Sequence, residues 1–240
     1  MKAMQHDDTL LQISTMMALL DGVFESETRY ESILPGYDFG IGTFDHLDGE
    51  MIGFDGSFYQ LQSDGSARPL DPKTTTPFCS LTRFVPEQSL SVKQTMSKAD
   101  FEHWLSEQLG TINSFYAIRI EGRFSEVKTR TVARQEKPFR PITEAVATQS
   151  ARTFEHIDGT LAGYFTPRFG HGIAVAGYHL HFIDQERSGG GHVFDYTVQD
   201  VTVTFEEKPK LDLRLPTTAA YRTADLESHD IEKEIQIAEG

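Results

Sequence analysis

Three histidines carry the most specific chemistry in the 240-residue sequence. In the segment GYHLHF, His179 and His181 stand two residues apart. On a β-strand that spacing sends both side chains to one face, while Tyr178, Leu180 and Phe182 point to the other. After Ile183 the polar, glycine-rich run DQERSGGG predicts a chain reversal, and His192 begins the returning strand. A hairpin there brings a third imidazole beside the first two. Three neutral imidazoles with one open coordination position describe a catalytic zinc site, whereas structural zinc sites are usually closed by four ligands, most often with cysteine. On residue type alone other readings stay open. A His-x-His pair also occurs as ordinary half-exposed strand residues, and with a carboxylate and a later histidine it can hold iron or manganese for oxygen chemistry. A noncatalytic binding domain is a further alternative.

The elements that must position these side chains are mostly β. Ser14 or Thr15 can cap a short helix over Met16 to Leu20, which Asp21-Gly22 ends. The run from Gly36 to Gln62 reads as a meander with Asp-Gly turns, and Thr76 to Phe84 as a further strand. Ser97 opens a helix in which Phe101, Trp104, Leu105 and Leu109 recur at helical spacing until Gly110. Ser114 to Val132 predicts two strands around Glu121-Gly122. Strands follow over Gly159 to Pro167, Gly172 to Ile183, His192 to Phe205 and Leu211 to Pro216. In the acidic C-terminal segment Ile231, Ile235 and Ile237 can form one helical face, or the segment can fray as a tail. The connecting segment EKPFRPITEAVATQ carries Pro138 and Pro141 and marks the boundary between halves. The expected fold is α/β of the α+β type: two β-rich domains with mixed sheets and few helices. Residues 1–140 form an N-terminal mixed β-sheet domain with helices, and 141–240 a C-terminal β-sheet domain holding the three histidines and a tail. The segments FGIGTFDHLDGEMIGFDGSFY and IAVAGYHLHFIDQERSGGGHVFDY share a rhythm of small, aromatic and turn residues, too weak for a repeat array.

A net charge of −14 repels phosphate backbones and anionic lipid, so nucleic acid and membrane are excluded as partners. An anionic substrate would need a local cation, an arginine or a metal, to overcome that field. Cys79 is the single cysteine, in the apolar run PFCSLTRF, and reads as a buried strand residue. With no disulfide to form and no apolar stretch long enough to span a bilayer, the expected location is the cytoplasm.

The segments STMMALLDGVF, DFGIGTFDHLDGEMIGFDGSFYQL, VKTRTV, GIAVAGYHLHFID and GGHVFDY together resemble those of the bacterial α-acetolactate decarboxylases, over nearly the whole chain. The resemblance implies a zinc lyase of acetoin biosynthesis, converting (S)-2-acetolactate to (R)-acetoin and carbon dioxide. It also implies a metal near the domain interface and assembly as a homodimer. Carried over by position, it makes His179, His181 and His192 the zinc ligands, Glu50 a glutamate beside the metal and Arg130 the active-site arginine. Thr43 becomes a pocket threonine, and Glu239, with Glu232 and Glu234 nearby, the C-terminal glutamate. Without the family, Glu50 reads as a solvated turn residue, Arg130 as one of a charge row with Lys128, and Thr43 as a strand former.

The implied chemistry is coherent. Loss of carbon dioxide pushes a bonding pair into the adjacent ketone, giving an enediolate whose charge a zinc ion can stabilise as a Lewis acid. Arg130 can hold the carboxylate or a substrate oxygen through its planar fork. One of Glu50 and Glu239 then protonates the enediolate carbon while the other positions the substrate.

Overall fold

Thr15 accepts a hydrogen bond from the Ala18 amide and so caps α1 (Met16–Leu20), the helix expected from the Ser-Thr signal. The computed structural model describes residues 8–86, 88–146, 149–227 and 230–239. The first part of the chain supplies β1 (Thr9–Ile13), α1, α2 (Tyr30–Ile33), β2 (Phe39–Thr43), β3 (Glu50–Phe54), β4 (Ser57–Leu61), β5 (Ala67–Pro69) and β6 (Cys79–Thr82). Then come β7 (Gln88–Val92), β8 (Met96–Ser97), α3 (Lys98–Gln108), β9 (Phe115–Thr131), α4 (Ile142–Ala145) and β10 (Ser150–Thr166). The chain ends with β11 (Gly177–Asp184), β12 (Gly190–Lys208), β13 (Lys210–Arg214), α5 (Ala219–Thr223) and α6 (Ile231–Glu239).

The strands build two sheets, and the fold is the α+β arrangement expected. A seven-stranded mixed sheet runs β13-β1-β6-β2-β3-β4-β5, with β1 and β13 parallel and the other pairs antiparallel. The second sheet is antiparallel, in the order β11-β10-β9-β12-β7, with β8 paired to β12. Because β11 also pairs with β12, the four long strands β9 to β12 close on one another at the hairpin end. Strands change sheets between β6 and β7, and β13 returns to the first sheet, so neither sheet follows a simple division of the chain. The reason is pairing: β9, which lies before residue 140, is hydrogen-bonded along its length to β10 and β12.

Residues 115–131, expected as two strands, form a single one. Gly122 is no turn: it lies at φ +136, and a Cβ there would meet the Asp200 carbonyl oxygen of β12 at 2.3 Å. Glycine lets the two backbones pass at contact distance, so the strand continues through it.

Alternation assigns each face of the second sheet a core. Leu180 and Phe182 of β11 pack with Phe101 and Leu105 of α3 and with Ile118 and Phe124 of β9. Full burial of each such side chain contributes roughly 1.5–3 kcal/mol. The opposite face meets the first sheet: Ala117, Ala162 and Ile183 pack against Phe39, Ile41 and Ile52. Helix α3 begins where expected, with Ser97 accepting from the Asp100 amide. Cys79 is fully buried on β6, and burial pushes its thiol up to about 12, so it is inert as a nucleophile.

Candidate metal centre

His179 and His181 project from the face of β11 that turns toward the first sheet, because Leu180 and Phe182 occupy the other. The β11–β12 hairpin then sets His192 directly opposite His181, and β9 sets Arg130 opposite His192. The three imidazole centroids lie 5.0, 5.3 and 5.5 Å apart. One nitrogen from each lies within 4.8 Å of the others, so the cluster could hold one metal ion.

The chemical state of the rings suits ligation. The Met51 carbonyl lies 2.8 Å from His181 Nδ1. A carbonyl only accepts, so Nδ1 carries the proton and Nε2 keeps its lone pair for a metal. That Nε2 is buried and has no hydrogen-bond partner among the described residues. Glu50 Oε2 faces it at 3.7 Å, too long for a hydrogen bond. A lone pair and a carboxylate oxygen aimed at one gap are what a cation satisfies, so the donor set fits a zinc ion. Burial holds His181 down at about 3, helped by the neighbouring His179 and opposed by the Met51 hydrogen bond. Burial, then the Arg130 charge, hold His179 down at about 4. Both are therefore neutral near pH 7, as ligands must be.

The first sheet delivers the remaining groups. Glu50 opens β3 opposite Thr43 on β2. Thr43 is buried, and its hydroxyl donates to the Gly49 carbonyl at 2.8 Å, which fixes the rotamer and leaves the oxygen as an acceptor. Arg130 is buried on β9 with its guanidinium 5.9 Å from the Phe194 ring centroid. Thus Glu50, Arg130, Thr43 and the three histidines line one pocket. Its apolar wall comes from Met16 and Leu19 of α1, Leu47, Phe78, Ile142 and Val146. Glu239 is the last residue of α6, and its side chain lies outside the described residues. Helix α6 reaches this region through Ile235, which is buried with Met16, Leu19, Leu47 and Ile142, whereas Ile237 is exposed.

Several pocket residues left no signal in the sequence. Gln149 lines the same pocket with its Oε1 buried and unpartnered among the described residues. The Met51 carbonyl is a backbone group and could be found only from the packing of β3 on β11. The apolar wall, which Val132 completes, is assembled from five separate parts of the chain.

Comparison with known proteins shows the family to which the chain belongs. The family model described as alpha-acetolactate decarboxylase matches residues 10–228. The chain belongs to the alpha-acetolactate decarboxylase family. It is 49% identical over 231 residues to the alpha-acetolactate decarboxylase of Bacillus subtilis strain 168, covering 96% of this chain and 91% of that protein. To that of Klebsiella aerogenes it is 40% identical, covering 97% and 90%. The crystal structure of the B. subtilis strain 168 enzyme superposes with a TM-score of 0.95 over 97% of this chain and 99% of that one. A Staphylococcus aureus structure, described as similar to alpha-acetolactate decarboxylase, gives 0.92 at 29% identity, over 96% of this chain and 100% of that one. Membership of the family makes the chain an enzyme, a carboxy-lyase.

Proposed function

We propose that the chain catalyses the zinc-dependent decarboxylation of (S)-2-acetolactate to (R)-acetoin and carbon dioxide. The observation that carries this reading is the one pocket lined by His179, His181, His192, Glu50 and Arg130, in which the free nitrogen of His181 faces Glu50. His179, His181 and His192 would hold the metal. Bound there, zinc supplies Lewis-acid stabilisation for the negative charge that develops on the substrate's oxygens.

The chain's own residues do the rest. Arg130 receives the carboxylate and supplies the local cation that a strongly acidic chain needs to bind an anion. The apolar wall accommodates the methyl groups and keeps water from the carbanion carbon. As the bond to the carboxylate carbon breaks, its electron pair moves into the ketone and leaves an enediolate. One of Glu50 and Glu239 donates a proton to one face of that carbon, which sets the handedness of acetoin. Glu239, whose position is one helical turn beyond the buried Ile235, is the second glutamate, and the pair divide protonation and substrate positioning. Thr43 offers its hydroxyl oxygen as an acceptor to the bound substrate.

Homodimeric assembly and a cytoplasmic location belong to the same reading. A lone, buried Cys79 is compatible with a reducing compartment. No helix among the described residues is long and apolar enough to cross a membrane. Sedimentation of the purified protein tests the dimer.

The deciding experiment incubates the protein with racemic acetolactate and measures acetoin, its enantiomer and oxygen uptake, before and after chelation and after return of zinc, iron or manganese. The reading expects (R)-acetoin without oxygen uptake, lost on chelation and restored by zinc. Activity indifferent to metal removal, or restored by iron with oxygen consumed, rejects it.

A further inference from the structure

The turn between Thr43 and Glu50 is held in a conformation that its own residues disfavour. His46 at φ 66 and Leu47 at φ 53 are consecutive left-handed residues, and Gly49 follows at φ 87. For a residue with a Cβ that conformation costs about 1–2 kcal/mol, so two in succession persist only where the surroundings over-determine them.

The surroundings converge on His46. Its amide donates to the Phe24 carbonyl at 2.7 Å, and its carbonyl accepts from the Gln135 amide at 2.7 Å. Its Nδ1 lies 2.9 Å from the Gln135 carbonyl and its Nε2 3.0 Å from Glu25 Oε1. The Gln135 carbonyl only accepts, so Nδ1 donates to it while Nε2 faces the Glu25 carboxyl group. Lys137 pairs with the other Glu25 oxygen at 2.5 Å, and the Phe139 ring packs edge-on against the imidazole with centroids 5.2 Å apart. Gln135 belongs to the segment leaving β9, just beyond Arg130. Leu47, the next residue in the turn, is buried in the pocket wall, and Glu50 follows at the start of β3.

We propose that His46 is a positioning residue: by bridging Gln135 and Glu25 it fixes the strained turn of the first sheet to the end of β9. Leu47 and Glu50 are thereby held across the pocket from Arg130 and the three histidines. Glycine would relieve the backbone strain but would release the clamp. The proposal rests on the role given above to Glu50.

The test uses zinc-loaded His46→Gly and His46→Asn. Both residues accept the left-handed backbone, and neither rebuilds the two ring contacts. A displacement of about 1 Å at a reacting group lowers turnover by up to about a hundredfold. Both variants should therefore lose about tenfold or more in kcat, with little change in KM, a lower enantiomeric purity of acetoin and unchanged zinc content. Amide exchange over residues 44–49 should accelerate at least about tenfold in the same variants. Glu25→Ala, which leaves the turn's own sequence intact, should move every readout in the same direction. Parent-like kcat and enantiomeric purity in all three variants overturn the proposal, and so does unchanged exchange. Glu50→Gln, assayed alongside, separates the two ideas: unaltered turnover and stereochemistry there reject the role of Glu50, while the exchange rates still judge the clamp.

Discussion

Replacing Glu102 by glutamine should stabilise the protein above neutral pH and change little in acid. Glu102 lies on α3 against the second sheet, behind the strand that bears the histidines. Its Oε1 is 3.4 Å from the Tyr196 hydroxyl, and its carbonyl accepts from Ser106 and Tyr178. Burial raises its carboxyl from an ordinary 4.5 to about 7, against the opposing pull of Lys98 and the Tyr196 hydrogen bond. A folded-state value above the unfolded one means that the folded form holds the proton more tightly. The favourable contribution is thus fully present below pH 4.5 and is lost as pH rises through 7. A rise of that size corresponds to about 3 kcal/mol of stability lost between acid and mildly alkaline solution. The amide of Glu102→Gln is neutral throughout, so the variant escapes that loss. For a chain of this length about 3 kcal/mol amounts to roughly 6–12 °C in melting temperature. Urea unfolding of parent and variant at intervals from pH 5 to 8.5 measures it: the curves should nearly coincide at pH 5 and diverge toward pH 8.5, with the variant the more stable. A difference that does not change with pH, or a variant less stable at pH 8.5, refutes the reasoning.

Three further substitutions probe the frame and the pocket. Lys208 and Glu206, both fully buried, pair at 2.7 Å, and Glu206 also accepts from the Val85 amide at 2.7 Å. Lys208→Met should cost about 3–5 kcal/mol in urea unfolding by stranding the carboxylate, and adding Glu206→Gln should recover most of it. Arg130→Lys keeps the charge but loses the planar fork, so kcat/KM for acetolactate should fall about 10- to 100-fold with zinc content unchanged, as read by steady-state kinetics and metal analysis.

How far the sequence could be read depended on the range of the interaction. Helix α3 was legible because a Ser97 cap and an apolar period are local signals. So was the common face of His179 and His181, since strand alternation is a property of the backbone. The turn before His192 was legible from DQERSGGG, and the hairpin places His192 opposite His181. The single strand β9 was misread because Gly122 carries two opposite meanings, a turn or a close approach, and only the passage of β12 against it chooses between them. Sheet membership was not legible, because it follows pairing between strands far apart in sequence.

The sequence by itself offered the candidate donors: three imidazoles at strand and hairpin spacing, with resemblance alone naming Glu50 and Arg130 as their companions. Tertiary structure decided the arrangement, because local periodicity cannot encode how two sheets pack. Met51 of β3 orients His181, Glu50 faces its free nitrogen, and the pocket forms where the first sheet closes on β9, β11 and β12. The strain at His46 and Leu47 belongs to the same level, since only contacts from Phe24, Glu25 and Gln135 can hold a turn that its own residues would not choose.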